Sequence, residues 1–323
     1  MPSYIAEGVL QPFRAYGVRV RFYRLHRDLQ PDETDIEQLV CGDTAVRIVV
    51  IVHPLGYEAA FGNVRALAQS RGIYVLEDCA HALFSEYRTG GHVGSRGDFA
   101  LFSLNKFLPV PDGAVLTSTR DDVNVELSDR AAAPPDREAI DHYLEHLHLN
   151  ADLLHSQTTA RSTVLLRKTG EAYDRYYARI TAARRLHMTS DESADIRVRY
   201  DLTSARARRR ANAEVIHSQF PDGPMQLLYP DVPPGVTCFA VPALVPARLR
   251  DAAIATGIAR GVLFSTLVDR WNFVPRDSEE RFLNEDYYVK HHLLIPVSEF
   301  LDMAAMQRII EVLSMIQRAL TAS

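Results

Sequence analysis

Two spacings of apolar residues alternate along the first third of the chain. Residues 46–53 and 73–80 form continuous apolar runs rich in β-branched side chains, which are typical of buried parallel strands. Residues 32–40 begin with acids and predict a short helix, and residues 58–72 predict a second helix that ends on a glycine. Residues 18–25 alternate with period two and predict a further strand.

This order of strands and helices predicts an α/β fold with a mainly parallel, doubly wound sheet. Residues 134–210 are mostly helical by their three- and four-residue apolar spacing. From residue 201 onward, strand patterns at "CFAVPALV" and "HHLLIPVS" mix with helical patterns. We therefore predict a large lobe over residues 1–200 and a smaller C-terminal α+β lobe over residues 201–323.

Composition narrows the class of protein without identifying it. The chain has 323 residues, 47% hydrophobic and 24% charged, with a net charge of −5, which argues against a nucleic-acid or polybasic membrane partner. Its three cysteines are far apart, as expected in a reducing compartment. Neither a signal-peptide pattern nor a membrane-spanning apolar run is found in the sequence. The prediction is a cytoplasmic protein.

Chemistry-bearing residues follow the predicted strands, at the sheet edge where ligands of such folds bind. "VLEDCAHA" contains Asp78 and His81, "GSRGDFALFS" ends at Ser103, and Lys106 follows three residues later. A lysine nucleophile needs a carbonyl partner and a setting that deprotonates it. Pyridoxal 5'-phosphate supplies the carbonyl and requires an anion against its ring nitrogen.

Asp78 is suited to that anionic role, His81 to the neighbourhood of the ring hydroxyl, and Ser103 to the phosphate. Simpler interpretations stand beside these. An Asp after a strand is often a helix N-cap, a single His is more often structural, and a Lys is usually a solvated surface residue. The joint order of the four residues favours the cofactor site.

Several segments together resemble the DegT/DnrJ/EryC1/StrS aminotransferase family. They are "PSYIAEGVLQPF", "VHPLGY", "VLEDCAHAL", "GSRGDFALFSLNKFLPVPDGAVLTS", "RRRANAEVI", "TGIARGVLF" and "HHLLIPVS". The resemblance implies an aspartate-aminotransferase fold, with Lys106 as the Schiff-base lysine, Asp78 on the pyridinium nitrogen, His81 beside the ring hydroxyl and Ser103 on the phosphate. It also implies a homodimer with a small-molecule amino donor and a keto acceptor, often a nucleotide-linked keto sugar.

The sequence also departs from the family pattern. Relatives carry several tens of residues before "PSY", including a Gly-Thr-x-Ala stretch that opens a phosphate-binding helix, whereas this sequence starts at Met1. The position that stacks on the cofactor ring matches Ala6, with Tyr4 as a substitute. Three interpretations remain: an upstream start, a separate polypeptide that supplies the segment, or loss of catalysis. The alternative function is therefore a non-catalytic or split-subunit relative that acts as a partner protein.

Two other patterns have simpler interpretations. His142 and His146 lie four residues apart in "DHYLEHLH", which suits either a metal site or, more often, a solvated helix face. The basic run at residues 205–212 suits an exposed helix or pairs with acids, in preference to nucleic-acid binding.

Overall fold

The computed structural model describes residues 1–122, 132–154, 159–183, 185–267 and 281–321. Its helices are α1 Glu7–Ala15, α2 Glu33–Gly42, α3 Gly62–Ser70, α4 Arg137–Leu154, α5 Thr159–Ala182, α6 Asp191–Arg199, α7 Leu202–Gln219, α8 Arg250–Ala259, α9 Leu283–His291 and α10 Met303–Thr321. Its strands are β1 Ile48–Val52, β2 Tyr74–Asp78, β3 Phe99–Ser103, β4 Ala114–Ser118, β5 Gln226–Leu227, β6 Ala240–Leu244 and β7 His292–Pro296.

The larger sheet has the strand order β1-β2-β3-β4. The first three strands are parallel and β4 runs antiparallel to β3, which confirms the predicted α/β lobe with a mainly parallel sheet. Val52, Asp78 and Leu101 are opposite one another across the three parallel strands. The carboxyl ends of these strands therefore meet at one edge, which is where the candidate residues follow.

The smaller sheet is antiparallel, in the order β5-β6-β7. It packs with α7, α8 and α10 into a hydrophobic core of its own, while β1, β2 and the N-terminal helices share a second core. The lobe boundary at residue 200 remains a prediction. The helical prediction for the middle of the chain agrees with α4 to α7.

The predicted strand over residues 18–25 is wrong for the described structure. Only Tyr23 and Leu25 form isolated bridges, with Pro2 and Pro31. A strand is defined by its hydrogen-bonded neighbour, so a period-two pattern alone does not make one. Residues 18–22 have the alternation without a paired strand beside them.

A sharp turn after β1 joins the two lobes. Leu55 accepts a hydrogen bond from the Phe239 amide at 2.9 Å, and the Ser85 hydroxyl donates to the Gly56 carbonyl at 2.6 Å. Gly56 has a φ of +98°, and a side-chain carbon there would collide with the carbonyl oxygen of Thr237. The close approach of the lobes therefore requires glycine at this position.

The buried Glu77 carboxylate ties β1, β2 and the following loop together. It accepts hydrogen bonds from His53 Nε2 at 2.8 Å and from the Arg96 amide at 2.8 Å, and also from Tyr87 and Gly97. His53 Nδ1 accepts from the Ala59 amide, which leaves Nε2 as the donor to Glu77. Burial raises the pKa of Glu77, but these hydrogen bonds outweigh it and the pKa is lowered. Glu77 is a structural acid.

Replacing this carboxylate should be costly. We expect Glu77→Ala to lower the free energy of unfolding by about 3 kcal/mol, because several buried donors would lose their acceptor. Glu37→Ala, at an exposed position of α2, is the matched control and should change it by less than about 0.5 kcal/mol. Urea unfolding followed by circular dichroism measures both values. Equal losses for the two variants would contradict the structural role of Glu77.

Candidate active site

Asp78 and Glu77 are adjacent in β2 and therefore point to opposite faces of the sheet. The register of the sheet puts Asp78 beside Leu101, and Ser103 lies two residues further along β3 on the same face. Strand alternation thus separates the structural acid from the candidate cofactor ligand. Two of the four predicted site residues, Asp78 and Ser103, share one sheet face.

A cleft of about 850 Å³ lies over this face. Its floor comes from β3 and β4, and its walls come from α1, α4, α5 and the segment after α5. The lining includes Gly8, Leu101, Ser103, Asn105, Asp112, Ala114, Leu116, Asp136, Ile140, Tyr176, Arg185 and His187. The cleft is therefore mixed in polarity and large enough for a small-molecule substrate.

Asp78 is a buried acid with a free oxygen. Its Oδ1 accepts from the Ala80 amide at 3.0 Å, and within the described ranges Oδ2 accepts no hydrogen bond. Burial raises the pKa of the Asp78 carboxyl, and the charge of Lys106 and the Ala80 amide offset part of that rise. A carboxylate held in this way suits a cationic N–H from a ligand.

Lys106 lies in a 3₁₀ turn, Leu104–Lys106, directly after β3. The turn is held by a hydrogen bond from the Leu104 amide to the Gly113 carbonyl at 3.1 Å. The Lys106 side chain is half-buried, and its amine forms no ion pair with any described residue. Burial lowers the pKa of Lys106, with the Asp78 charge acting in the opposite direction. The neutral, nucleophilic form is thereby favoured relative to an exposed lysine.

His81 is buried three residues beyond the end of β2 and faces the smaller lobe. Its ring stacks on Phe239, with centroids 4.4 Å apart and planes 4° from parallel. Burial, together with the nearby Lys106 charge, lowers the pKa of His81 well below its usual value. His81 is therefore a neutral imidazole at physiological pH. Sequence reasoning missed Phe239, which is distant in the chain and has no motif.

The Ser103 hydroxyl points to a neighbouring side chain. It donates to Asn105 Oδ1 at 2.7 Å, and Asn105 Nδ2 donates to the Tyr176 hydroxyl at 3.1 Å. Tyr143 donates to the Asn105 carbonyl at 3.2 Å, so α4 and α5 both brace the turn that carries Lys106. The predicted contact of Ser103 with a phosphate remains a prediction. Asn105 and Tyr176 were missed, although hydroxyl-bearing aromatics on the buried side of a helix usually have a polar partner.

These residues fit pyridoxal phosphate chemically. Lys106 follows β3, and Asp78 is the last residue of the adjacent strand β2, so both lie at the same edge of the sheet. In the part of the chain that the structure describes, the amine has no ion pair and one carboxylate oxygen has no hydrogen bond. Those are the two groups that the cofactor requires at its aldehyde and at its ring nitrogen. The individual roles of Lys106, Asp78, His81 and Ser103 remain proposals.

The other candidate sites have structural explanations. His53, Glu77 and Cys79 offer ligand atoms within 4.8 Å of one another, but hydrogen bonds already occupy both Glu77 oxygens. His146 is hydrogen-bonded to the Thr169 carbonyl of α5 and, within α4, to Asn150, as a packed helix residue is.

The basic run pairs with acids, as one of its two interpretations predicted. Arg206 binds Glu86, Arg209 binds Glu299 and Arg210 binds Glu214. All three cysteines are free, and none of the described helices has the length and apolarity needed to cross a membrane.

Comparison with known proteins supports the family resemblance over part of the chain. Residues 8–130 match the model of the DegT/DnrJ/EryC1/StrS aminotransferase family, which confirms the resemblance over that segment. The segment contains Asp78, His81, Ser103 and Lys106. The chain is 34% identical over 91 residues to the GDP-perosamine synthase of Escherichia coli O157:H7, covering 28% of this chain and 24% of that protein.

A second relative is the UDP-4-amino-4,6-dideoxy-N-acetyl-beta-L-altrosamine transaminase of Campylobacter jejuni. It is 30% identical over 109 residues, which are 32% of this chain and 29% of the transaminase. The matches thus span less than a third of either relative's length. Among solved structures, the aminotransferase TlmJ from Streptoalloteichus hindustanus superposes with a TM-score of 0.68 at 18% identity, covering 99% of this chain and 79% of TlmJ. That likeness establishes the fold.

The lowered pKa of Lys106 can be measured with internal standards. The chain has three lysines, and Lys168 and Lys290 are both exposed. Trace acetylation across a pH series, quantified by mass spectrometry, should give Lys106 a lower titration midpoint than Lys168 and Lys290. Asp78→Asn should lower that midpoint further, because it removes the carboxylate that stabilises the ammonium. A titration midpoint for Lys106 equal to or above those of Lys168 and Lys290 would show that burial does not control the pKa of Lys106.

Proposed function

We propose that this chain is a pyridoxal-phosphate-dependent aminotransferase that transfers an amino group to a keto sugar or another biosynthetic keto intermediate. The observation that carries the proposal is the placement of Lys106 and Asp78 at one edge of the sheet. Among the described residues, the Lys106 amine forms no ion pair and one Asp78 oxygen accepts no hydrogen bond. The family match over residues 8–130 supports it, because that segment supplies both groups.

Pyridoxal phosphate, when bound, supplies an aldehyde that takes up the amine and a ring that withdraws electrons from the reacting carbon. Asp78 holds the proton on the ring nitrogen, which keeps that electron demand high. Lys106 Nζ would hold the cofactor at its aldehyde carbon. As the free amine it would then take the proton from the α-carbon of the amino donor and deliver it to that cofactor carbon, as a general base and acid. A lowered pKa suits this task because the amine must be neutral to accept the proton.

His81 acts as a neutral polar neighbour of the ring hydroxyl. A neutral imidazole can accept one hydrogen bond and donate another. Because it carries no charge, it adds no second cation beside Lys106. Phe239 stacks on the imidazole ring and fixes its plane. Ser103 is the proposed phosphate ligand, and that role requires its hydroxyl to turn from Asn105.

The size of the cleft and the names of the relatives support a sugar-like keto compound as the amino acceptor. The two relatives are named for perosamine synthesis and for transamination of a UDP-linked amino sugar. A cleft of about 850 Å³ can hold a substrate of nucleotide-sugar size. Arg185, at its exposed rim, is a cation that could meet a substrate phosphate. We extend the proposal to a homodimer, as the family resemblance implies, and to the cytoplasm. The free cysteines support the cytoplasmic location, because they are expected in a reducing compartment.

Cofactor uptake tests the proposal directly. The purified chain should retain added pyridoxal phosphate through desalting, with visible absorbance, and borohydride should fix the cofactor to Lys106 in a mass-mapped peptide. Lys106→Ala should abolish covalent attachment, and Asp78→Asn should weaken retention while the fold is kept. Lys290→Ala, at an exposed position paired with Asp286, is the matched control and should behave as the unaltered chain does.

A chain that takes up no cofactor at any concentration would overturn the enzymatic proposal. That result would favour the alternative, a non-catalytic relative that acts as a partner protein. Cofactor attachment at Lys168 or Lys290 instead of Lys106 would contradict the assignment of the site.

A further inference from the structure

Arg209 of α7 is a buried cation where the smaller lobe meets the turn that carries Lys106. Its side chain is 5% exposed, and its Nε lies 2.6 Å from Oε2 of the equally buried Glu299. The Tyr200 hydroxyl donates to the other Glu299 oxygen at 2.7 Å. Burying two charges costs desolvation free energy, and apolar replacements of such pairs are often neutral for stability. The pair therefore calls for an explanation beyond stability.

Other contacts of the Arg209 guanidinium lead to the candidate site. Its carbon Cζ lies 4.8 Å from the centre of the Phe107 ring, in cation–π contact with the residue directly after Lys106. One of its nitrogens, Nη1, donates to the Phe239 carbonyl at 3.4 Å. Phe239 is also the residue whose ring stacks on His81. One guanidinium therefore contacts the direct neighbours of two predicted cofactor residues.

The two aromatic residues also pack against each other. The ring centroids of Phe107 and Phe239 are 5.9 Å apart and the ring planes are 65° from parallel, which is an edge-to-face arrangement. Phe107 is 1% exposed, and its amide donates to the Leu104 carbonyl at 3.0 Å within the lysine turn. Because a protein interior is close-packed, a displaced Phe107 ring would carry the turn and Lys106 with it.

We propose that Arg209 is a positioning residue for the cofactor site. Through the Phe107 ring it sets the place of Lys106. Through Phe239 it sets the plane of the His81 imidazole. A planar guanidinium suits this task because it can stack on a ring while its nitrogens donate to a carboxylate and a carbonyl, which the compact ammonium of a lysine cannot do at once. The inference rests on the proposed function, which gives Lys106 and His81 their cofactor roles.

A purely structural role is the competing explanation, since Arg209 and Glu299 also join α7 to the segment after β7. Asn212 offers a matched control for that role. It lies about one turn further along α7, is 6% exposed, and its side-chain amide donates to the Ser298 carbonyl at 2.9 Å. Its described side-chain hydrogen bonds stay within that segment and do not reach the lysine turn.

Titration of Lys106 on the full chain separates the two roles without the cofactor. Arg209→Met keeps an unbranched side chain but removes its charge and its donors. We expect this variant to raise the midpoint of Lys106 trace acetylation, because burial lowers the pKa of Lys106 and a displaced turn admits water. Asn212→Ala should leave the midpoint unchanged, as should Arg208→Met at an exposed position of the same helix.

Arg209→Lys distinguishes position from charge. It keeps the positive charge but cannot keep all three contacts, so the positioning role predicts a raised Lys106 midpoint here too. A direct effect of the missing charge would instead leave the midpoint unchanged in this variant, which would contradict the proposal. If Arg209→Met does not fold, Arg209→Lys decides alone by the same two outcomes.

Cofactor affinity is the second measurement. Arg209→Met should raise the dissociation constant of pyridoxal phosphate by about tenfold, because two cofactor residues lose their fixed positions. Asn212→Ala should leave this constant unchanged, although both variants lower the urea midpoint of unfolding. A lower urea midpoint with an unchanged Lys106 midpoint and unchanged affinity in Arg209→Met would overturn the proposal. If the unaltered chain binds no cofactor, the proposed function fails, and the acetylation series alone decides whether Arg209 positions Lys106.

Discussion

Glu77 is the residue on which the geometry of the candidate site depends. Its carboxylate collects hydrogen bonds from β1 through His53 and from the loop before β3 through Tyr87, Arg96 and Gly97. These contacts fix β2 between its neighbours. Because successive side chains in a strand alternate, anchoring Glu77 on one face of the sheet holds Asp78 on the other face, which it shares with Ser103.

The site combines groups that each cost stability without a partner. Burial raises the pKa of Asp78 and lowers the pKa of Lys106. The opposite charge of each group offsets part of the shift in the other. A structure that keeps both in place must brace them by other contacts. Hydrogen bonds from Ser103 to Asn105 and from Asn105 to Tyr176 brace the turn that carries Lys106. The Ala80 amide braces the Asp78 carboxylate. Perturbed groups held in this way are characteristic of functional sites.

The segment after the carboxyl end of β1 connects the larger sheet to the smaller lobe. There the Leu55 carbonyl accepts a hydrogen bond from the Phe239 amide, and the Phe239 ring stacks on His81.

Much of the fold could be predicted because its signals are local. Residues 46–53 and 73–80 are apolar on both faces, which only a covered strand tolerates, and the order of elements then required parallel pairing. Asp78, His81, Ser103 and Lys106 were selected by their positions after strands and by resemblance, and Asp78 and Ser103 do share a sheet face. The strand predicted over residues 18–25 was wrong, because alternation indicates strand propensity but supplies no neighbouring strand to pair with.

The sequence by itself determined which residues carry chemistry and which strands are buried, since both depend on residue type and local spacing. Only the tertiary structure decided that Glu77 is structural while Asp78 receives only the Ala80 amide among the described donors, because that distinction depends on which groups surround each carboxylate. It also decided the contacts of Phe239, Asn105 and Tyr176, which come from elements far apart in the chain.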